Sequence, residues 1–322
     1  MRTTTLGSKG PDVGVIGLGC MGMSYGCDMG TRRDEDASIA VIHQALDPGM
    51  TFLDTADVYG PQANEELVGR ALAGGRRERA VPATKAGVVH GGSAGSSRPM
   101  PNGSPDHIRR SIDDSLRRLG TDHVDLFYLH RVDPEVPIEE SVGALSETVA
   151  AGKARHIGLS EVTVEQIKRA QSVHPITAVQ SELSLWTRDW MREVLPYRQE
   201  QGIAFVPCSP LGKGFLTGRF TSFDDLRQDD FRRGPARFQQ DALRQNLAVA
   251  VTVKQIAERL GATPAQVALA WVPAHGEYVV PIPGTKTPKY LPDNAGGADV
   301  ELTWGDLAEL EALPVPTGGR YF

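Results

Sequence analysis

Cysteine is scarce in this chain: Cys20, Cys27 and Cys208 are the only three in 322 residues, with no C-x-x-C pair and no histidine at ligand spacing. A disulfide framework and a structural zinc site are therefore excluded as organising devices, no metal is expected, and a reducing, cytoplasmic setting is. Long apolar runs are missing as well. No stretch approaches the ~20 residues that cross a bilayer, and no charged segment leads into an apolar core at the N-terminus, so no membrane is expected. Basic charge is also short. The 34 Lys and Arg are outnumbered by 40 Asp and Glu, for a net charge of -6. That balance argues against nucleic acid or an anionic surface as partner. What is present is 40% hydrophobic and 23% charged residues, enough to bury a large core in one big domain or two ordinary ones.

One glycine pattern raises a question. "VGVIGLGCMGMS", residues 13 to 24, holds Gly17, Gly19 and Gly22 in the spacing G-x-G-x-x-G after an apolar run. A dinucleotide fingerprint of that form needs a helix opening at its third glycine and an acidic residue about 20 positions on. Here Gly22 runs into "MSYGCDMGTRRDED", which has no apolar period. The pattern is read instead as a tight strand exit that uses glycine dihedrals.

Strand-like runs recur along the chain, each followed by a segment of helical period. "VGVIGLG", "TFLDTA", "RAVPATKAG", "VDLFYLHR", "ARHIGLSE", "TAVQSEL", "IAFVPCSP" and "YVVPIPGT" are the eight strands. With no linker-like break between the units, the expectation is an α/β fold, one (β/α)₈ TIM barrel spanning residues 1 to 322 as a single domain. Residues 1 to 10 are expected to form a hairpin plugging the barrel bottom, and "TWGDLAELEAL" an extra C-terminal helix. Two long loops, near 88 to 104 and 211 to 241, follow strands three and seven at the C-terminal face, where long loops are functional or disordered.

Active sites of such barrels stand at the C-terminal strand ends. Strand two ends in "FLDTADVYG", strand three in "ATKAG" and strand four in "YLHR", which offers Asp54, Tyr59, Lys85 and His130 to one mouth. A phenol alone, with a pKa of about 10, is a reluctant acid at neutral pH. A neighbouring ammonium lowers that value, and a carboxylate keeps the ammonium charged. The expected arrangement is Asp54 holding Lys85, Lys85 activating Tyr59, and His130 orienting a carbonyl oxygen. Such a set protonates an oxygen while hydride arrives at carbon, which calls for a reduced nicotinamide. Singly, each residue could be an ion pair, a core histidine or a capping phenol. Four together at three consecutive strand ends favour chemistry.

These residues carry a resemblance. "TFLDTADVYG" with "NEELVGRAL", "ATKAG", "VDLFYLHRVDP", "GKARHIGLSE", "TAVQSELSLW", "VPCSPLGKGFLTG" and "VPIPGTKTPKYLPDN" together resemble the aldo-keto reductase family, in order and through nearly the whole chain. The resemblance implies a barrel that binds NADPH/NADP+ without a dinucleotide-fold domain and reduces a small-molecule carbonyl substrate. It places Asp54, Tyr59, Lys85 and His130 on the family's catalytic tetrad, with Tyr59 as proton donor, and Gly19 and Met21 along the cofactor cleft. By the same resemblance Ser160 and Gln180 hold the nicotinamide carboxamide. Ser209, Leu211, Lys213 and Gly214 surround the pyrophosphate, and Gly284, Thr285, Lys286 and Asn294 the adenosine end. Lys286 there offers a cation to a 2'-phosphate, or is simply solvated. Two positions depart from the family: Cys208 stands where an aromatic ring usually stacks on the nicotinamide, and Glu161 where asparagine is common. Met23, Tyr25 and Trp186 are walls of a substrate pocket or else core. An alternative implied by the family is a cofactor-sensing barrel resembling potassium-channel β-subunits. Neither the physiological substrate nor the oligomeric state is written in the sequence.

Overall fold

The computed structural model describes residues 1–25, 34–60, 62–91 and 99–319. The chain opens with β1 (Thr3–Thr5) and β2 (Asp12–Gly14), paired antiparallel with Thr3 opposite Gly14. This hairpin reaches further than residues 1 to 10, because Val13 and Gly14 belong to it and not to the first barrel strand. Leu6 and Val13 are buried among Phe52, Leu126, Val206 and Val280 inside the barrel. Ser8 N donates to the carbonyl of Gly202 at 2.8 Å, so the hairpin closes the end at which the strands begin.

β3 (Leu18–Gly19), β4 (Phe52–Asp54) and β5 (Val81–Ala86) lie side by side in parallel. An antiparallel ribbon of β6 (Val88–His90) and β7 (Pro99–Pro101) stands on the loop after β5, and residues 92–98 between them lie outside the described residues. β8 (Val124–Leu129), β9 (Ala154–Ser160), β10 (Ala178–Glu182) and β11 (Ala204–Cys208) complete a seven-stranded parallel sheet. The eighth unit, residues 278–284, closes the ring without ranking as a regular strand. On one side Val280 N and Ile282 N donate to the carbonyls of Phe205 and Pro207. On the other, Gly17 N and Gly19 N donate to the carbonyls of Pro281 and Pro283. Those two prolines have no N–H to return, so half of that ladder cannot form.

Helices pack outside: α1 (Glu35–Leu46), α2 (Ala63–Leu72), α3 (Pro105–Leu119), α4 (Ile138–Ala150), α5 (Val164–Gln171) and α6 (Val194–Glu200) follow successive strands. α3 shows why these segments are helical. Pro105 sits in its first turn, Ile108, Ile112 and Leu119 bury one face, and Gly120 ends it at φ 64°, a left-handed stop that suits glycine. After β11 the chain runs through 3₁₀ turns at Gly212–Thr217, Phe223–Asp225, Phe231–Arg233 and Ala236–Phe238 before α7 (Gln240–Leu260). A further helix follows that the periodicity does not predict, α8 (Pro264–Trp271). α9 (Leu291–Gly296) follows the eighth unit, and α10 (Trp304–Glu311) is the extra C-terminal helix. Among the described residues no helix is long and apolar enough to cross a membrane.

Candidate active site

Alternation along each strand fixes what reaches the mouth. Phe52, Ala83, Leu126, Tyr128, Ala178, Val206 and Ile282 all face the barrel interior. Two residues further on, one layer higher on the same face, stand Asp54, Lys85, His130, Gln180, Cys208 and Gly284. On β9, Gly158 faces inward against the Tyr128 ring, where a Cβ would lie 2.5 Å from its carbons, so Ser160 belongs to the same upper layer. Tyr59 arrives from the loop after β4. Thr55 N and Asp57 N tie that loop to the carbonyls of Ala83 and Lys85, at 2.9 and 3.2 Å. Asn64, buried at the start of α2, accepts from Thr55 Oγ1 at 2.6 Å and donates to Cys20 O at 2.9 Å and Ser24 Oγ at 2.6 Å. The loop that carries Tyr59 is thereby stitched to the exit of β3.

The structure brings the four tetrad residues together. Lys85 Nζ donates to Asp54 Oδ1 at 2.5 Å, to the Thr55 carbonyl at 2.7 Å and to Tyr59 Oη at 3.2 Å. Gln180 Nε2 donates to the other oxygen of Asp54 at 2.8 Å. The His130 ring meets the Tyr59 ring edge-on, centroids 5.7 Å apart. Tyr25 lies nearly parallel to Tyr59 at 6.4 Å.

Burial governs the protonation states. For Lys85 it opposes the charged form, but Asp54 and then Tyr59 outweigh it and raise the ammonium above its usual range. For Tyr59 burial is the larger influence. It raises the phenol, and the nearby Lys85 charge lowers it by less. The expectation of a phenol shifted downward is thus corrected: Lys85 pulls in that direction, yet the net shift is upward and Tyr59 keeps its proton. His130 is held well below its ordinary value by burial, Lys85 and Arg131, which makes it a neutral imidazole. Its Nδ1 is buried without a hydrogen-bond partner.

The remaining expected positions differ in their surroundings. Gly19 and Gly284 form a parallel bridge, and Met21 beyond them is 37% exposed. After Gly19 the chain makes only a 3₁₀ turn, Met21–Met23, so Gly22 opens no helix there. Ser160 Oγ accepts from Arg131 Nη1 at 3.0 Å. Glu161 takes a left-handed φ of 53° and its Oε1 accepts from Glu182 N at 2.9 Å. The Cys208 thiol is pushed up by burial and by the carboxylates of Glu161 and Glu182, so it stays a thiol. Beyond it the backbone turns left-handed at Ser209, Gly212, Lys213 and Gly214, with φ of 50°, 56°, 56° and 90°. Leu211 packs partly against the core. Thr285 Oγ1 donates to the Thr287 carbonyl, Lys286 is partly exposed, and Asn294 is buried on α9. Two expected pocket walls lie in the core. Met23 is buried in the outer cluster, and Trp186, 1% exposed, is stacked on Phe215 at 4.0 Å with Phe238 edge-on at 4.9 Å. Asn64, Arg131 and Asp57 were not singled out from sequence. Arg131 adjoins His130 and Asp57 lies within the Tyr59 loop, the one signal in the sequence that points to either.

A parallel barrel with an Asp–Lys–Tyr–His constellation at its C-terminal mouth defines the class, and comparison agrees with it. Residues 15–314 match the profile of the Aldo/keto reductase family. The chain belongs to that family, whose members are oxidoreductases. It is 45% identical over 325 aligned positions to a probable aldo-keto reductase 1 of Glycine max, covering all of this chain and 92% of that protein. Among solved structures it resembles a glycerol dehydrogenase of Gluconobacter oxydans, with TM-score 0.86, 29% identity and 96% and 94% of the two chains covered. It also resembles an aldo/keto reductase of Klebsiella pneumoniae solved with NADP and acetate, with TM-score 0.74, 27% identity and 100% and 99% covered.

Proposed function

We propose that this protein reduces aldehydes or ketones to alcohols with NADPH, Tyr59 acting as general acid. The observation that carries the reading is the single ammonium of Lys85, bonded at once to Asp54 and to the Tyr59 hydroxyl. The residues present fit a nicotinamide cofactor. Ser160 has its oxygen engaged by Arg131 and Gln180 its amide nitrogen by Asp54. That leaves one hydroxyl proton and one amide oxygen, a donor and an acceptor matched to a carboxamide. The chain after β11 turns left-handed at Ser209, Gly212, Lys213 and Gly214, the stretch that by resemblance borders the pyrophosphate, and the Klebsiella relative was solved with NADP. Lys286, partly exposed in the loop after the eighth unit, supplies a cation for a 2'-phosphate, favouring NADPH over NADH.

When bound, NADPH supplies the hydride. Tyr59 gives its hydroxyl proton to the substrate oxygen as the carbonyl carbon is reduced, so the C=O bond becomes CH–OH. Lys85, kept charged by Asp54, stabilises the phenolate left behind, which regains a proton from water. Neutral His130 donates an N–H to the same oxygen and fixes its position. Replacing Tyr59 by Phe should preserve cofactor affinity and lower turnover roughly 10² to 10⁴-fold, read from NADPH absorbance with an activated aromatic aldehyde. Near-normal turnover would remove Tyr59 from the mechanism. Tight NADPH binding by the wild type without turnover of any aldehyde would point instead to a sensor barrel.

A further inference from the structure

Arg131 follows His130 at the end of β8, and only part of its guanidinium is used. Nη1 donates to the His130 carbonyl at 2.7 Å and to Ser160 Oγ at 3.0 Å. That nitrogen has two N–H groups, so both are engaged. The planar group is thereby pinned across the ends of β8 and β9. Its opposite edge, Nε and Nη2 with three N–H groups, makes no hydrogen bond to a described residue, and neither nitrogen is among the solvent-excluded orphans. No described carboxylate pairs with Arg131. Carboxylates around the mouth are engaged elsewhere: Asp54 with Lys85 and Gln180, Glu161 Oε1 with the Glu182 amide, and Glu182 Oε1 with Thr187. The guanidinium is held at the mouth by its bond to Ser160, which stands in the same upper layer as Asp54 and His130.

An anchored guanidinium with its Nε–Nη2 edge open matches the two oxygens of a carboxylate, with which it forms paired, charge-assisted hydrogen bonds. We propose that Arg131 is a substrate-recognition residue and that the preferred substrates are aldehydes or ketones bearing a carboxylate, oxo acids and formyl acids, in place of neutral carbonyl compounds. The inference rests on the carbonyl-reductase reading above, and its test has an arm independent of turnover.

In the kinetic arm, kcat/KM is measured with NADPH for two matched pairs, 4-formylbenzoate and its methyl ester, and phenylglyoxylate and its methyl ester. The acid of at least one pair should be favoured ~10- to 100-fold over its ester, which is what charge-assisted hydrogen bonds are worth. Arg131→Met should abolish that ratio through KM, and Arg131→Lys should restore part of it. The ratio is the readout because a uniform loss through Ser160 divides out. An acid-to-ester ratio near one in both pairs of the wild type, or one that survives Arg131→Met, overturns the proposal. In the binding arm, calorimetric titration compares benzoate with neutral benzamide in the presence and absence of NADP+. Benzoate should bind the wild type at least ~10-fold more tightly than benzamide and lose that margin in Arg131→Met. Equal binding of the two overturns the proposal even if aldehydes are reduced. Discrimination without turnover of any aldehyde would uphold the anion site and count against the reductase reading.

Discussion

Asp57 shows how much of the site lies behind the reacting groups. Its Oδ1 is buried with no hydrogen-bond partner, and burial, followed by the charge of Glu65, pushes its carboxyl up to about 8. Arg118, the Val58 amide and Lys85 pull the other way without prevailing. An aspartate titrates at 3.8 without such surroundings and at about 8 here, so folding takes up a proton between those values. The stability linked to this group is complete below pH 3.8 and is lost as pH rises through the folded value. Asp57→Asn, which removes the charge and keeps the shape, should therefore raise Tm relative to wild type by a margin that widens from pH 5 to pH 9. A margin independent of pH would mean that the carboxyl is already ionised. The tetrad was legible because Asp54, Lys85 and His130 obey the period of two and three strands can be counted. Asp57 and Arg131 were not, since their meaning depends on what faces them: Glu65 from α2 in one case, Ser160 from β9 in the other. The sign of the Tyr59 shift was misjudged for a related reason, as burial is a property of the packed loop and not of its residue types.

At the scale of elements, the glycines of the G-x-G-x-x-G stretch separate cleanly. A Cβ on Gly19 would lie 2.8 Å from the Ile282 carbonyl, whereas one on Gly22 meets nothing within 4 Å. Gly19→Ala should lower stability by about 1–3 kcal/mol through overpacking of the seam between β3 and the eighth unit. Gly22→Ala should stay within about 0.5 kcal/mol of wild type. Urea midpoints check both, and a costly Gly22→Ala would revive a role for the third glycine. All eight strand units were readable because short apolar runs alternate with longer amphipathic ones. α8 was not readable, since Ala265, Val267, Ala268, Leu269, Ala270 and Trp271 are all buried. A helix with no solvent face shows no amphipathic period. Its start was encoded all the same, by the capping box of Thr263 and Gln266 with Pro264 in the first turn. The split of "VGVIGLG" between hairpin and barrel was hidden too, because both halves are apolar and the register is decided by partners far along the chain.

The molecule as a whole divides its labour between two ends. Leu6, fully buried, closes the floor, while the tetrad occupies the opposite mouth. Leu6→Ala should cost about 2–5 kcal/mol of stability, seen as a lower denaturant midpoint, and leave kcat/KM for an aldehyde unchanged below the transition. A parallel fall in kcat/KM would show that floor and mouth are coupled. The proline seam matters while the ring is still open. Until residues 278–284 dock, the growing sheet ends in raw edges, and such edges invite other chains to add strands. Pro281 and Pro283 remove two donors from the outer side of the eighth unit, so a neighbouring chain finds there more acceptors than donors. The same two residues that thin the final closure are of the kind that hinders strand addition at an open edge, at the expense of a few bonds in the finished barrel.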